Sequence, residues 1–183
     1  MSLSRAVPRD HIHTREIRCR GFRRHDGLWD IEGVLEDTKT YTFDNHDRGG
    51  IASGEPIHAM HVRLTVDDTL TVTAAEAATE AGPCHICGAI VPVFAALVGE
   101  RIGPGWRKIV LARMGGVRGC THLTDLLLGP VTTTAMQTIA AARANRHSRS
   151  GGEKPALVDS CHAFASDGPV VKRQWPDLYA GDD

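Results

Sequence analysis

The sequence predicts an α+β protein, with an antiparallel sheet from the N-terminal half packed against helices from the C-terminal half. Two observations carry this. Ile57–Val66 alternates with period two: His58, Met60, Val62, Leu64 and Val66 share one face, and Ala59, His61, Arg63 and Thr65 the other, as in a strand with one buried side. Beyond Gly82-Pro83 the spacing changes to three or four residues, through Ile90, Phe94, Leu97 and Val98. Strands gathered first and helices second point to segregated layers rather than to βαβ units.

The elements follow in order. His13–Phe22 reads as a short strand, and Asp26-Gly27 as the turn before Leu28–Glu36, where Trp29, Ile31 and Leu35 alternate with Asp30, Glu32 and Glu36. Asp37-Thr38 reads as an interruption, after which Lys39–Phe43 resumes the strand. Asp44–Pro56 is a polar, glycine-rich loop long enough to cover a site. After Ile57–Val66, Asp67-Asp68 turns the chain into a strand over Leu70–Ala74. A helix with Pro92 in its first turn then closes at Gly99, Trp106–Met114 forms a short amphipathic helix, and Cys120 or Thr121 caps a helix through Leu128. A last helix opens at Pro130 and runs to about Asn145.

The expected organisation is an extended arm (1–12), one α+β domain (13–146), a flexible link (147–155) and a tail (156–183) that folds back on the domain. The tail carries Val170, Val171, Trp175 and Tyr179, which need a surface to pack on. The 183 residues suffice for one domain with a sizeable core.

Charge and composition exclude some functions. Lys and Arg number 21 against 22 Asp and Glu, so no electrostatic case exists for nucleic acid or an anionic membrane. No stretch reaches the roughly 18 apolar residues of a membrane span, and Met1–Asp10 is charged where a secretory signal would be apolar, so a cytoplasmic location is expected. In a reducing compartment, five cysteines read as metal ligands, reactive thiols or buried hydrophobes rather than as disulfides. The chain lacks a phosphate loop, a G-x-S-x-G elbow and an H-E-x-x-H motif, and no nucleotide cofactor is expected.

Chemistry concentrates on cysteine and histidine. Cys84-His85-Ile86-Cys87 has the C-x-x-C spacing common to zinc sites and thiol oxidoreductases, and Cys120-x-His122 adds another sulfur and nitrogen. Cys120 precedes a helix, where free N–H groups and the dipole favour a thiolate, so it reads as ligand or nucleophile with His122 as its base. Asp125 can orient His122 or simply favour the helix N-terminus. His58 stands on the apolar face of its strand, His61 on the solvated one. Cys19 has no nearby partner and reads as a packing residue.

Asp26-Gly27-Leu28-Trp29, Leu35-x-Asp37, Pro56-Ile57-His58-x-Met60, Cys87, Leu97-Val98-Gly99, Gly103-Pro104-Gly105-Trp106, Gly119-Cys120-Thr121-His122-Leu123 and Cys161-x-Ala163 through Asp167-Gly168-x-Val170 together resemble a bacterial domain-of-unknown-function family, number 2889. The resemblance runs from about His13 to Tyr179 and brings no settled activity, only an association with acyl or aromatic catabolism. It implies cysteine at Cys87, Cys120 and Cys161 and histidine at His58 and His122, with an aromatic residue usual at the position of Cys84. On that pattern Cys87, Cys120, His122 and Cys161 form a scattered metal site for zinc or another divalent ion, and His58, Cys120 and His122 are the catalytic candidates.

Arg63 or Arg113 would hold a substrate carboxylate, and Trp106 is the aromatic candidate for the substrate wall. The expected function is a small catabolic enzyme, a lyase, decarboxylase or hydrolase acting on the carbonyl or carboxylate of an aromatic or acyl small molecule, and a homo-oligomer is an open option. The competing expectations are an accessory or sensor protein with a structural zinc site, and a cofactor-free enzyme in which buried histidine and arginine do the acid–base work.

Overall fold

A computed structural model describes residues 3–140 and 158–181. Four strands, β1 (His13–Arg23), β2 (Trp29–Lys39), β3 (His58–Val66) and β4 (Val72–Ala81), form an antiparallel meander in the order β1-β2-β3-β4. The first turn is fixed by its sequence. Gly27 adopts φ +89, Arg24 donates to the Leu28 carbonyl at 2.9 Å, and the Leu28 N–H donates to Asp26 Oδ1 at 3.2 Å. At the β3–β4 turn, Asp67 Oδ1 accepts the N–H groups of Thr69 and Thr71.

The helices follow, as expected: α1 (Trp106–Met114), α2 (Thr121–Leu128) and α3 (Pro130–Thr138). Helices α2 and α3 cover one face of the sheet, α2 packing on β2 and β3 and α3 on β1 and β2, while α1 packs on α2. Between the layers Ile31, Leu35, Met60 and Leu64 from the strands meet Leu123, Leu126, Leu127 and Val131, all fully buried. Gly21 and Gly33 allow α3 to approach the sheet closely, since a Cβ on Gly33 would stand 2.7 Å from a Val131 methyl.

Three elements differ from the sequence reading. Strand β2 passes straight through Asp37-Thr38 to Lys39, and Phe43 only bridges Ile51. The turn propensity of Asp-Thr yields because Asp37 is paired on both sides, with Arg15 and His58. The fourth strand runs to Ala81, well past Ala74, and Leu70 instead takes a positive φ of 69 in the turn. The helix expected to carry Pro92 in its first turn is a run of 3₁₀ turns over His85–Leu97 with Pro92 inside it, a proline having no N–H for a regular α-helical ladder.

The chain divides into two compact units, 1–141 and 142–183. Within the second, 3₁₀ turns over His162–Phe164 and Pro176–Leu178 flank α4 (Pro169–Gln174). Its own contacts include Phe164 against Trp175, ring centroids 6.0 Å apart, and Lys172 over the Tyr179 ring. The expected link, and the stretch of the last expected helix beyond residue 140, lie outside the described residues.

Candidate metal centre

The site begins as a cross-strand row. Arg15 lies directly opposite Asp37 in β1 and β2, and Asp37 directly opposite His58 in β2 and β3. All three share the helix-covered face, because period two carries the parity of Ile17 and Cys19, of Ile31 and Leu35, and of Met60 and Val62 to the end of each strand. Asp37 is only 2 % exposed. An ionised carboxylate at that depth needs partners, and it has several. Arg15 grips both oxygens, Nε to Oδ1 at 2.7 Å and Nη2 to Oδ2 at 2.8 Å; His58 Nδ1 donates to Oδ2 at 3.0 Å, and His13 Nε2 to Oδ1 at 3.1 Å.

Helix α2 supplies the other half. Cys120 is its N-cap residue, with extended backbone, and its carbonyl accepts the Thr124 N–H at 2.9 Å. Gly119 is needed just before it, because a Cβ there would stand 1.8 Å from the Met114 carbonyl oxygen. The first turn then sets His122 over the sheet, its ring 3.8 Å from that of His58, centroid to centroid, at 33°. His122 Nε2 is 3.8 Å from Asp37 Oδ2, and His122 Nδ1 is 3.8 Å from Cys120 Sγ, whose thiol also contacts Met60 Sδ at 3.8 Å. Asp37, His58 and His122 each place one donor atom within 4.8 Å of the others, the only such group of three or more Asp, Glu, His or Cys residues among the described residues.

The electrostatics keep the imidazoles neutral and the carboxylate charged. Burial lowers both histidines below 6.5; the neighbouring His122 adds to this at His58 and Arg15 adds to it at His122, while Asp37 opposes it at both. Burial raises the Asp37 carboxyl, but the Arg15 pair and then His58 outweigh it, and the net shift is downward. Neutral imidazoles are what a metal or a proton acceptor requires.

A shallow groove of about 190 Å³ reaches Cys120 from the helical side, with Leu111, Met114 and Leu128 as apolar wall and Arg107 and Asp125 as charged groups. A larger concavity of about 270 Å³ lies on the opposite face of the sheet, around Arg63, Glu32 and Glu76. Its charges pair with one another in solvent, and it contains none of the clustered ligands.

Of the residues singled out from the sequence, His58 and His122 come together, and Cys120 stands beside His122. Cys87 lies in the 3₁₀ turns against Gly82 and joins no group of three donors among the described residues, and Cys161 belongs to the second unit, exposed. Arg63 pairs with Glu32 and Glu76, and Arg113 with Glu100 at 2.8 Å. Trp106 is buried and donates its indole N–H to the Leu127 carbonyl at 2.9 Å. Asp37 and Arg15 were not singled out for the site. Their signal was strand parity, hidden at Asp37 by its turn-like neighbour Thr38.

The fold and this cluster define an α+β domain with a buried, arginine-clamped carboxylate holding one histidine beside a second histidine and a helix-capping cysteine. The chain belongs to the family described as Protein of unknown function (DUF2889), whose model matches residues 13–137. No curated protein and no solved structure matches it.

Proposed function

We propose that the protein is a metal-dependent enzyme of the hydrolase or lyase type, acting on the carbonyl or carboxylate of an aryl or acyl small molecule. The observation that carries the reading is the convergence of Asp37, His58 and His122 within 4.8 Å, with the Cys120 sulfur 3.8 Å from His122. Donors bound to zinc at about 2.0–2.3 Å and set near the tetrahedral angle stand roughly 3.5 Å apart, so His122 and Cys120 are spaced as a chelating pair. The Cys120 sulfur stands beside His122 and outside that group of three, so binding requires its side chain to turn toward His58; two ring nitrogens and one sulfur then make a borderline-soft set that suits zinc.

Asp37 belongs behind the ligands, although it is close enough to be one. Both its oxygens are occupied by Arg15, and it takes the Nδ1–H of His58, which leaves Nε2 of that ring as the donor. Three protein donors leave a fourth position for substrate or water, as catalytic zinc sites do. The ion would supply Lewis acidity toward a carbonyl oxygen. Arg15 holds Asp37, Asp37 fixes the tautomer and orientation of His58, the apolar wall of the groove takes an aryl or alkyl body, and Arg107 offers a cation to a carboxylate.

One observation favours a second reading. His122 spans Cys120 and Asp37 with one ring nitrogen toward each, the order of a thiol, imidazole and carboxylate relay in which Cys120 is the nucleophile and His122 its base. Elemental analysis of protein purified without a polyhistidine tag separates the readings when run beside Cys120→Ala and His122→Ala. About one ion per chain, lost in both variants while circular dichroism keeps the fold, supports the metal enzyme. Loss of the ion together with the fold indicates a structural zinc site in an accessory protein, and a metal-free wild type supports the thiol relay.

A further inference from the structure

We infer that Cys84 and Cys87 form a second, independent site: a dithiol that exchanges with low-molecular-weight disulfides to close an intramolecular disulfide. Cys84 is the N-cap residue of the 3₁₀ turns over His85–Leu97, and the Cys87 N–H donates to the Cys84 carbonyl at 3.0 Å. Cys84 itself is extended, and the turn closed by that bond brings its thiol into hydrogen-bonding contact with the Cys87 thiol. The long polar loop before β3 braces the turn, Asp47 Oδ2 accepting the His85 N–H at 2.8 Å.

The two sulfurs differ in access. Cys84 is exposed, whereas Cys87 is half-buried, its Sγ only 3.1 Å and its Cβ 2.7 Å from where a Cβ on Gly82 would lie. An incoming disulfide therefore meets Cys84 first. The Cys84 thiolate attacks one sulfur of the reagent and releases one thiol, leaving a mixed disulfide; the Cys87 thiolate then attacks the Cys84 sulfur, forms the Cys84–Cys87 bond and releases the second thiol. The protein pair loses two electrons and two protons, and the small disulfide is reduced to two thiols.

Desolvation, then Cys87 and Asp47, raise the Cys84 thiol above its ordinary value.

The test is peptide mapping of the full chain after equilibration with glutathione disulfide and acid quench. The tryptic peptide 64–101 contains Cys84 and Cys87 and no other cysteine. The expected result is loss of two hydrogens from that peptide with no glutathione attached. Cys87→Ser should trap glutathione on Cys84, and Cys84→Ser should leave Cys87 as a thiol. Wild-type peptide that keeps glutathione on Cys84, or that keeps both thiols while a control dithiol peptide is oxidised, overturns the inference, whatever the metal content proves to be.

Discussion

Arg15 and Asp37 face each other across β1 and β2, and the guanidinium holds both carboxylate oxygens at 2.7 and 2.8 Å. The pair sits where an edge strand meets the core, with Asp37 buried and Arg15 still partly open to solvent. Removing the cation leaves a buried charge with only imidazole donors. Arg15→Ala should therefore cost about 2 kcal/mol, below the 3–5 kcal/mol of a fully buried pair because Arg15 is partly screened. Urea unfolding of the metal-free protein reads this directly; a loss under about 0.5 kcal/mol, the usual surface range, would show that the clamp is incidental.

Stability should fall on the acid side. Both His58 and His122 lie below 6.5 in the folded chain, so the unfolded chain binds protons that the folded one refuses. Their contribution is full above the unfolded value and is lost as pH drops through the depressed folded values. Asp37, lowered below 3.8, extends the same trend to more acid conditions. The urea midpoint of the metal-free protein should thus be lower at about pH 5.5 than at about pH 7.5, and a His58→Gln, His122→Gln double variant should flatten that difference. An unchanged midpoint in the wild type would mean the imidazoles are not held neutral.

Gly21 is placed where α3 crosses β1. A Cβ there would lie 1.8 Å from Thr138 Oγ1, and that hydroxyl is tied to the Thr134 carbonyl at 2.7 Å, so it cannot simply swing away. Gly21→Ala should destabilise by roughly 1–3 kcal/mol through overpacking. Gly88, with nothing near its Cβ position, is the control and should tolerate alanine within about 0.5 kcal/mol.

Trp106 anchors α1 through one hydrogen bond, its indole N–H to the Leu127 carbonyl. Trp106→Phe should cost about 1 kcal/mol, because one hydrogen bond is lost while the Thr132 hydroxyl still donates to the same carbonyl. Thermal melts check this, and an unshifted midpoint would show that the Thr132 hydroxyl alone satisfies the carbonyl.

The layers were legible because alternation and helical spacing are local: α1 matches its expected bounds Trp106–Met114, and α2 begins beside the expected cap. His58, Cys120 and His122 were also legible, since few residue types carry such chemistry. Asp37 and Arg15 were not, because their importance lies in register, and register is set by which strands pair rather than by either strand's own residues. Pro92 misled for a related reason. Its ring is compatible with a first helical turn, and the choice of 3₁₀ turns around it is made by packing on β4.

The central claim, that His58, His122 and Cys120 hold one ion and leave a position open, is tested most directly by zinc-edge X-ray absorption of the zinc-loaded, untagged protein. The account predicts one sulfur at about 2.3 Å and nitrogen or oxygen neighbours at about 2.0–2.1 Å, with the sulfur shell absent in Cys120→Ala. Failure to retain zinc, or a first shell without sulfur or with several sulfurs, would contradict it.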